Sequence, residues 1–189
     1  MAGHEFRPHA PVLSGRVRGE PAAKCWYAVR TRPQHEKVVR LQLTRLNIAN
    51  FLPTVKRWSQ WKDRTKELEF PLFSEYCFVR FSLGERLPVL QARGVVEIVG
   101  SNGRPEPIPE SEIDSLRILS ESRTDYRLEP CTREGESVEV IQGPLKGVKG
   151  RLVLNAKVSE LFVSITLIAQ ALAVEIDASM VGLDGVRRR

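Results

Sequence analysis

An α+β domain followed by a small all-β barrel is the fold predicted for this 189-residue chain, and three observations predict it. Residues 69–81, EFPLFSEYCFVRF, hold five of the thirteen aromatic side chains and alternate like a strand from Tyr76 onward. Two segments, 33–46 and 109–121, repeat apolar residues at helical spacing. Beyond residue 136, short β-branched runs separated by tight glycine turns take over. The first domain, 25–121, reads strand, helix, strand, strand, helix, strand, helix, an antiparallel sheet with helices packed on one side of it. A polar linker, 122–136, leads to the barrel, 137–183, and to a basic tail, 184–189.

Each element has its own reason. Residues 1–24 are poor in large apolar groups and read as a disordered leader. CWYAVR, 25–30, is rich in aromatic and branched residues and makes a first strand. Pro33 and Glu36 suit the first turn of a helix in which Val39, Leu43 and Leu46 recur, with Val38 and Leu41 widening the stripe. Residues 50–58 form a second strand that Pro53 marks as an edge or a bend. Between residues 54 and 66 five basic residues (Lys56, Arg57, Lys62, Arg64, Lys66) face one acid, Asp63. Trp58 and Trp61 interleave with them, a pattern suited to phosphate contact and base stacking; a solvated hairpin tip is the alternative.

In the aromatic stretch, Tyr76, Phe78 and Arg80 fall on one face and Cys77, Val79 and Phe81 on the other. Both faces are largely apolar, and a chain with few helices has little with which to cover both. One face is therefore expected to be kept for a partner, anchored by Phe73, Tyr76 and Phe78; a fully buried core strand is the alternative. Residues 83–92 suggest a short helix limited by Pro88, and 95–99 a further strand. In the helix 109–121, Glu110 and Glu112 lie at the N-terminus and Ile113, Leu116 and Leu119 share a face. The barrel begins with Val138 and Val140, turns at GPLKG (143–147), and continues through strands at 148–154, 161–168 and 172–176.

Charge and composition narrow the function. The net charge of +6 permits nucleic-acid contact and sits in the N-terminal half, because residues 137–177 carry four basic residues and four acids. Cys25, Cys77 and Cys131 lie far apart with no CxxC spacing, which fits a reducing cytoplasm and argues against disulfides or a zinc site. His4 and His9 fall in the leader and His35 on a solvated first turn, so no metal and no cofactor is expected. No cluster of nucleophile, base and orienter and no GxxxxGK loop is present, so an enzyme is the weakest reading. A ribosome-associated or RNA-binding barrel protein is one alternative, and the neutral charge of the barrel counts against it.

The order of motifs resembles the NusG-type transcription elongation factors. Trp26-Tyr27, Glu36-Lys37, Phe51-Leu52-Pro53, PLFSEYCFV (71–79) and ARGVVEIVG (92–100) follow that family's N-terminal domain, and VEVIQGPLKGVKGRLV (138–153) resembles a KOW motif, whose domain is an SH3-like barrel. The RW…W…DR…PLF run (57–73) and PIPESEI (107–113) are closest to the specialised antiterminators, the RfaH-like and UpxY-like branch. Ser74-Glu75 departs from the usual Pro-Gly or Pro-Asn before the tyrosine and adds a charge there.

The resemblance implies a monomeric, cytoplasmic, non-enzymatic antitermination factor with no membrane contact. Phe73, Tyr76 and Phe78 would meet the clamp helices of the large catalytic subunit of RNA polymerase, so that the factor bridges the DNA cleft and suppresses pausing or termination at particular operons. Arg93, with Lys56, Arg57, Lys62 and Arg64, would lie along the non-template DNA strand, while residues 82–90 do not match the branch's base-reading residues. The barrel would bind a small-subunit ribosomal protein, with Ile168 as an apolar contact. Leu167-Ile168-Ala169-Gln170 lacks the Gly-Arg of general NusG proteins, which argues against Rho. The β-branched content of 158–174 favours a barrel over a helical alternative.

Overall fold

The computed structural model describes residues 23–61, 64–122, 124–131, 135–154 and 159–183. The expected leader up to residue 22 and the basic tail lie outside them. The first sheet is four-stranded and antiparallel, in the order β2-β5-β1-β6, from β1 (Cys25–Thr31), β2 (Ala49–Phe51), β5 (Tyr76–Phe81) and β6 (Val95–Ile98). Between β2 and β5 a long hairpin, β3 (Thr54–Trp61) and β4 (Arg64–Pro71), projects from the sheet as its own two-stranded ladder. The expected single strand at 50–58 is thus two strands. Leu52 and Pro53 separate them, Pro53 lacking the N–H a continuous ladder needs.

Helices cover both faces of this sheet, which corrects the one-sided arrangement. Tyr27, Val29, Cys77, Val79 and Phe81 pack with Val39 and Leu43 of α1 (Glu36–Arg45) and Val89 of α2 (Arg86–Leu90). Trp26, Ala28 and Phe78 pack on the other side with Ile113, Leu116 and Leu119 of α3 (Glu110–Glu121). The two-sided apolarity of β5 is therefore the signature of a central strand, buried on both faces. A short hairpin, β7 (Gly100–Ser101) and β8 (Arg104–Pro105), joins β6 to α3.

The barrel is a six-stranded antiparallel sheet in the order β14-β10-β11-β12-β13-β9. Its strands are β9 (Arg127–Pro130), β10 (Glu136–Val140), β11 (Lys149–Leu154), β12 (Ser159–Ile165), β13 (Gln170–Glu175) and β14 (Val181–Leu183). β9 comes from the expected linker and pairs with β13, Leu128 opposite Leu172. Leu161, Val163 and Ile165 alternate into the barrel core with Val138, Val140, Leu152 and Leu172. Gly143 (φ 82°) and Gly147 (φ 90°) supply the left-handed backbone of the GPLKG turn.

The two domains are not separate bodies in this arrangement. α3 lies between the sheet and the barrel. Lys149 N–H donates to Ser115 Oγ (2.9 Å), and Thr166 Oγ1 donates to Glu112 Oε1 (3.3 Å). A Cβ placed on Gly147 would come 3.4 Å from Ile118 Cδ1. On its sheet side, the Arg117 guanidinium stacks over Trp26 (5.2 Å) and Phe51 (5.6 Å).

Candidate functional site

The chain leading into β5 is held by a turn whose geometry the sequence only hinted at. Glu75 adopts φ 68°, the left-handed region that Gly or Asn favours and that costs other residues roughly 1–2 kcal/mol. Two backbone hydrogen bonds hold it there: Glu75 N–H donates to Glu36 Oε1 (2.7 Å), and Thr31 N–H donates to Glu75 C=O (2.7 Å). Glu36 is itself buried, and its carboxylate is committed to this turn. Glu75 thus holds the left-handed backbone that a Gly or Asn adopts readily.

Of the three expected anchors, only Tyr76 retains outward surface, being half-buried. Phe73 is 1% and Phe78 0% exposed, which corrects the expectation that they line an open face. Their rings meet edge-on (centroids 6.1 Å, 88°), and Phe51 packs 6.4 Å from Phe78 on its other side. The physical reason is α3, which covers the Phe78 face of the sheet, so truncating either phenylalanine opens a cavity.

The basic hairpin carries less net charge than its first strand suggested. Antiparallel pairing sets Lys56 opposite Glu69 and Trp58 opposite Glu67, and Lys56 Nζ bonds Glu67 Oε2 at 3.3 Å. A charge window ending at Lys66 stops one residue short of the first of these acids. Lys62 lies outside the described residues, as do the side chains of Arg57 and Arg64.

Of the two candidate cations whose side chains are described, Lys56 is ion-paired and Arg93 is open. It is exposed and makes no ion pair among the described residues. Its loop is rigidly built. Ala92 is buried, Gly94 takes φ 102° against the His35 ring, and Arg32 N–H donates to Gly94 C=O (2.7 Å). The Gln42 amide brackets the Arg93 peptide, a contact no sequence pattern announced.

In the barrel, Ile168 is corrected as well. It is 9% exposed, because the single 3-10 turn Thr166–Ile168 rolls it into the core, while Ala169 reverses the chain at φ 53°. Leu167, beside it, is partly buried. Glu112, which receives the Thr166 hydroxyl, has its carboxyl pushed above the ordinary glutamate value, chiefly by burial, with the Thr166 hydrogen bonds opposing.

No group of His, Cys, Asp or Glu among the described residues could hold a metal ion. Burial pushes the Cys77 thiol up to about 12, which makes it a poor nucleophile. Among the described residues no helix is long and apolar enough to cross a membrane.

The chain is similar to several known proteins. Residues 24–117, the whole first sheet with most of α3, match the family model described as transcription termination factor NusG. The transcription termination/antitermination protein NusG of Streptococcus pyogenes is 28% identical over 144 residues, covering 69% of this chain and 80% of that protein. NusG of Rickettsia bellii is 22% identical over 174 residues, covering 86% and 91%. Among solved structures, one of Thermotoga maritima NusG covers 85% of this chain and 97% of that chain, at 21% identity and a TM-score of 0.47. The chain belongs to the NusG family of transcription termination/antitermination factors.

Proposed function

We propose that this chain is a cytoplasmic transcription elongation and antitermination factor of the specialised, RfaH-like and UpxY-like branch. In this reading it docks on the clamp helices of the large catalytic subunit of RNA polymerase, bridges the DNA cleft and suppresses pausing or termination at particular operons. The observation that carries the reading is Tyr76, the one ring of the Phe73–Tyr76–Phe78 set with outward surface, set on a central strand and backed by two fully buried phenylalanines. A rigidly backed aromatic is the kind of anchor that dominates an interface, and its truncation typically costs about 2 kcal/mol or more. Phe73 and Phe78 act from beneath, by fixing the strand that presents it.

Bridging the cleft works by differential binding. A factor that fits the closed clamp better than the open one lowers the population of the paused, opened state, with no bond chemistry of its own. Arg93 supports a contact with the displaced non-template strand, joined by Lys56, Arg57, Lys62 and Arg64 of the hairpin. The turn at Thr166–Ile168 is the part of the barrel assigned to a small-subunit ribosomal protein, and the absence of Gly-Arg there argues against Rho.

The test is a single-round elongation assay with purified polymerase on a template carrying a strong pause and an intrinsic terminator. The chain is expected to shorten the pause and raise read-through. An unchanged pause and terminator on templates from its own gene neighbourhood overturns the reading, and RNA and ribosome binding then become the leading tests.

A further inference from the structure

One contact around Arg93 is more elaborate than loop closure requires. Gln42 Oε1 accepts the Arg93 N–H (2.9 Å) while Gln42 Nε2 donates to the Arg93 C=O (2.9 Å), so one side-chain amide pairs with both polar groups of one residue. The remaining Nε2 proton goes to the Val38 carbonyl (3.3 Å), which braces the amide against its own helix. The loop is already closed without it. Val95 N–H donates to Ala92 C=O (3.0 Å), Arg32 N–H donates to Gly94 C=O (2.7 Å), and a Cβ on Gly94 would approach His35 Cβ to 2.9 Å. Gln42 adds its two bonds to the one residue of this turn whose side chain points to solvent uncommitted.

The setting is cationic. Arg32 adjoins the loop and Arg45 lies one turn beyond Gln42 on α1, and like Arg93 neither makes an ion pair among the described residues. The nearby acids are occupied elsewhere: Glu97 pairs with Arg30 (2.9 Å), and Glu36 takes the Glu75 N–H. Such a surface fits a phosphodiester backbone.

We propose that Gln42 is a positioning residue for Arg93, bracketing its peptide so that the guanidinium meets a nucleic-acid phosphate from a fixed base. The inference rests on the reading of Arg93 as a nucleic-acid contact. Its physical content is preorganisation: the backbone freedom that would be lost on binding is already lost in the free protein. Gln42 itself makes no hydrogen bond to phosphate, because both of its N–H donors are already taken.

The experiment uses the full chain, wild type and the variants Gln42→Met, Arg93→Ala and the double, with a fluorescein-labelled mixed-sequence single-stranded DNA. Anisotropy is read across a salt series, and amide hydrogen exchange is followed at Arg93 and Val95. Arg93→Ala is expected to weaken binding roughly three- to tenfold, as for a solvent-screened charged contact, and to lower the salt slope by about one. Gln42→Met is expected to lose part of that affinity, to speed exchange at Arg93 and not at Val95, and to add nothing in the Arg93→Ala background. A Gln42→Met loss that persists in that background, faster exchange at Val95 as well, or a silent Gln42→Met beside a weakened Arg93→Ala overturns the proposal alone. Wild-type binding by Arg93→Ala overturns the reading of Arg93, and the proposal falls with it.

Discussion

Ser115 joins α3 to the barrel by a hydrogen bond, and it offers a graded test of whether the two domains are docked in solution. Its side chain is 1% exposed, its hydroxyl accepts the Lys149 N–H of the barrel (2.9 Å), and it donates to the Ser111 carbonyl (2.8 Å). Ser115→Ala removes one hydrogen bond across the interface, a net loss of about 0.5–1.5 kcal/mol, or roughly two- to thirteenfold in the docking equilibrium. Ser115→Leu adds overpacking of about 1–3 kcal/mol in a site with no spare room and should release the barrel outright. Neither change disfavours the helix itself, since Ala and Leu are both better helix formers than Ser. The assay is backbone ¹⁵N relaxation. Docked domains tumble together as one 21.4 kDa body, whereas released ones report separate, shorter correlation times. Equal correlation times for both domains in Ser115→Leu would refute the argument that this contact holds them together.

Glu112 gives the same interface a pH dependence. Its carboxyl titrates above the ordinary glutamate value of 4.5 when docked. Between those two values the docked state holds the extra proton, so docking strengthens as pH falls through the raised value and is weakened above it by the half-buried carboxylate. Glu112→Gln should tighten docking at pH 7 and flatten its pH profile, read by the same relaxation measurement. In the barrel, a Cβ on Gly150 would lie 2.5 Å from the Phe162 carbonyl oxygen and 3.0 Å from Leu161 Cδ1. Gly150→Ala is therefore expected to destabilise by about 1–3 kcal/mol in denaturant melts of the barrel signal. Glu75→Gly relieves the left-handed backbone at φ 68° while keeping both backbone hydrogen bonds, and is expected to stabilise the first domain by roughly 0.5–1 kcal/mol in thermal melts.

Local periodicity made much of the architecture legible before any coordinates. The Tyr76–Phe78–Arg80 and Cys77–Val79–Phe81 faces are separated as the alternation required, and Val39 and Leu43 carry the buried stripe of α1. The GPLKG turn declared itself because left-handed backbone at Gly143 and Gly147 needs glycine. What stayed hidden depends on partners distant in sequence. β9 reads as polar linker because it is an edge strand whose Arg127 and Leu128 stay exposed, paired among the described residues with β13 alone. The second face of α3 was invisible because Glu112 and Ser115 are polar. They are half-buried and buried only because barrel groups meet them. Phe73 and Phe78 were read as surface for a related reason: counting helices does not reveal that one of them crosses the opposite face of the sheet. At the hairpin, register decides the charge, since Glu67 and Glu69 fold back onto Trp58 and Lys56.

The most direct test of the docking account is capture of purified RNA polymerase by the tagged full chain, comparing wild type with Tyr76→Ala. Circular dichroism and a thermal melt confirm that the variant stays folded. Tyr76 suits this better than Phe78, whose 0% exposure makes its truncation a core defect first. The account predicts that wild type retains the polymerase and that folded Tyr76→Ala loses at least tenfold in affinity, as expected for a central aromatic anchor. Equal retention by the two would contradict the claim that Tyr76 anchors the docking.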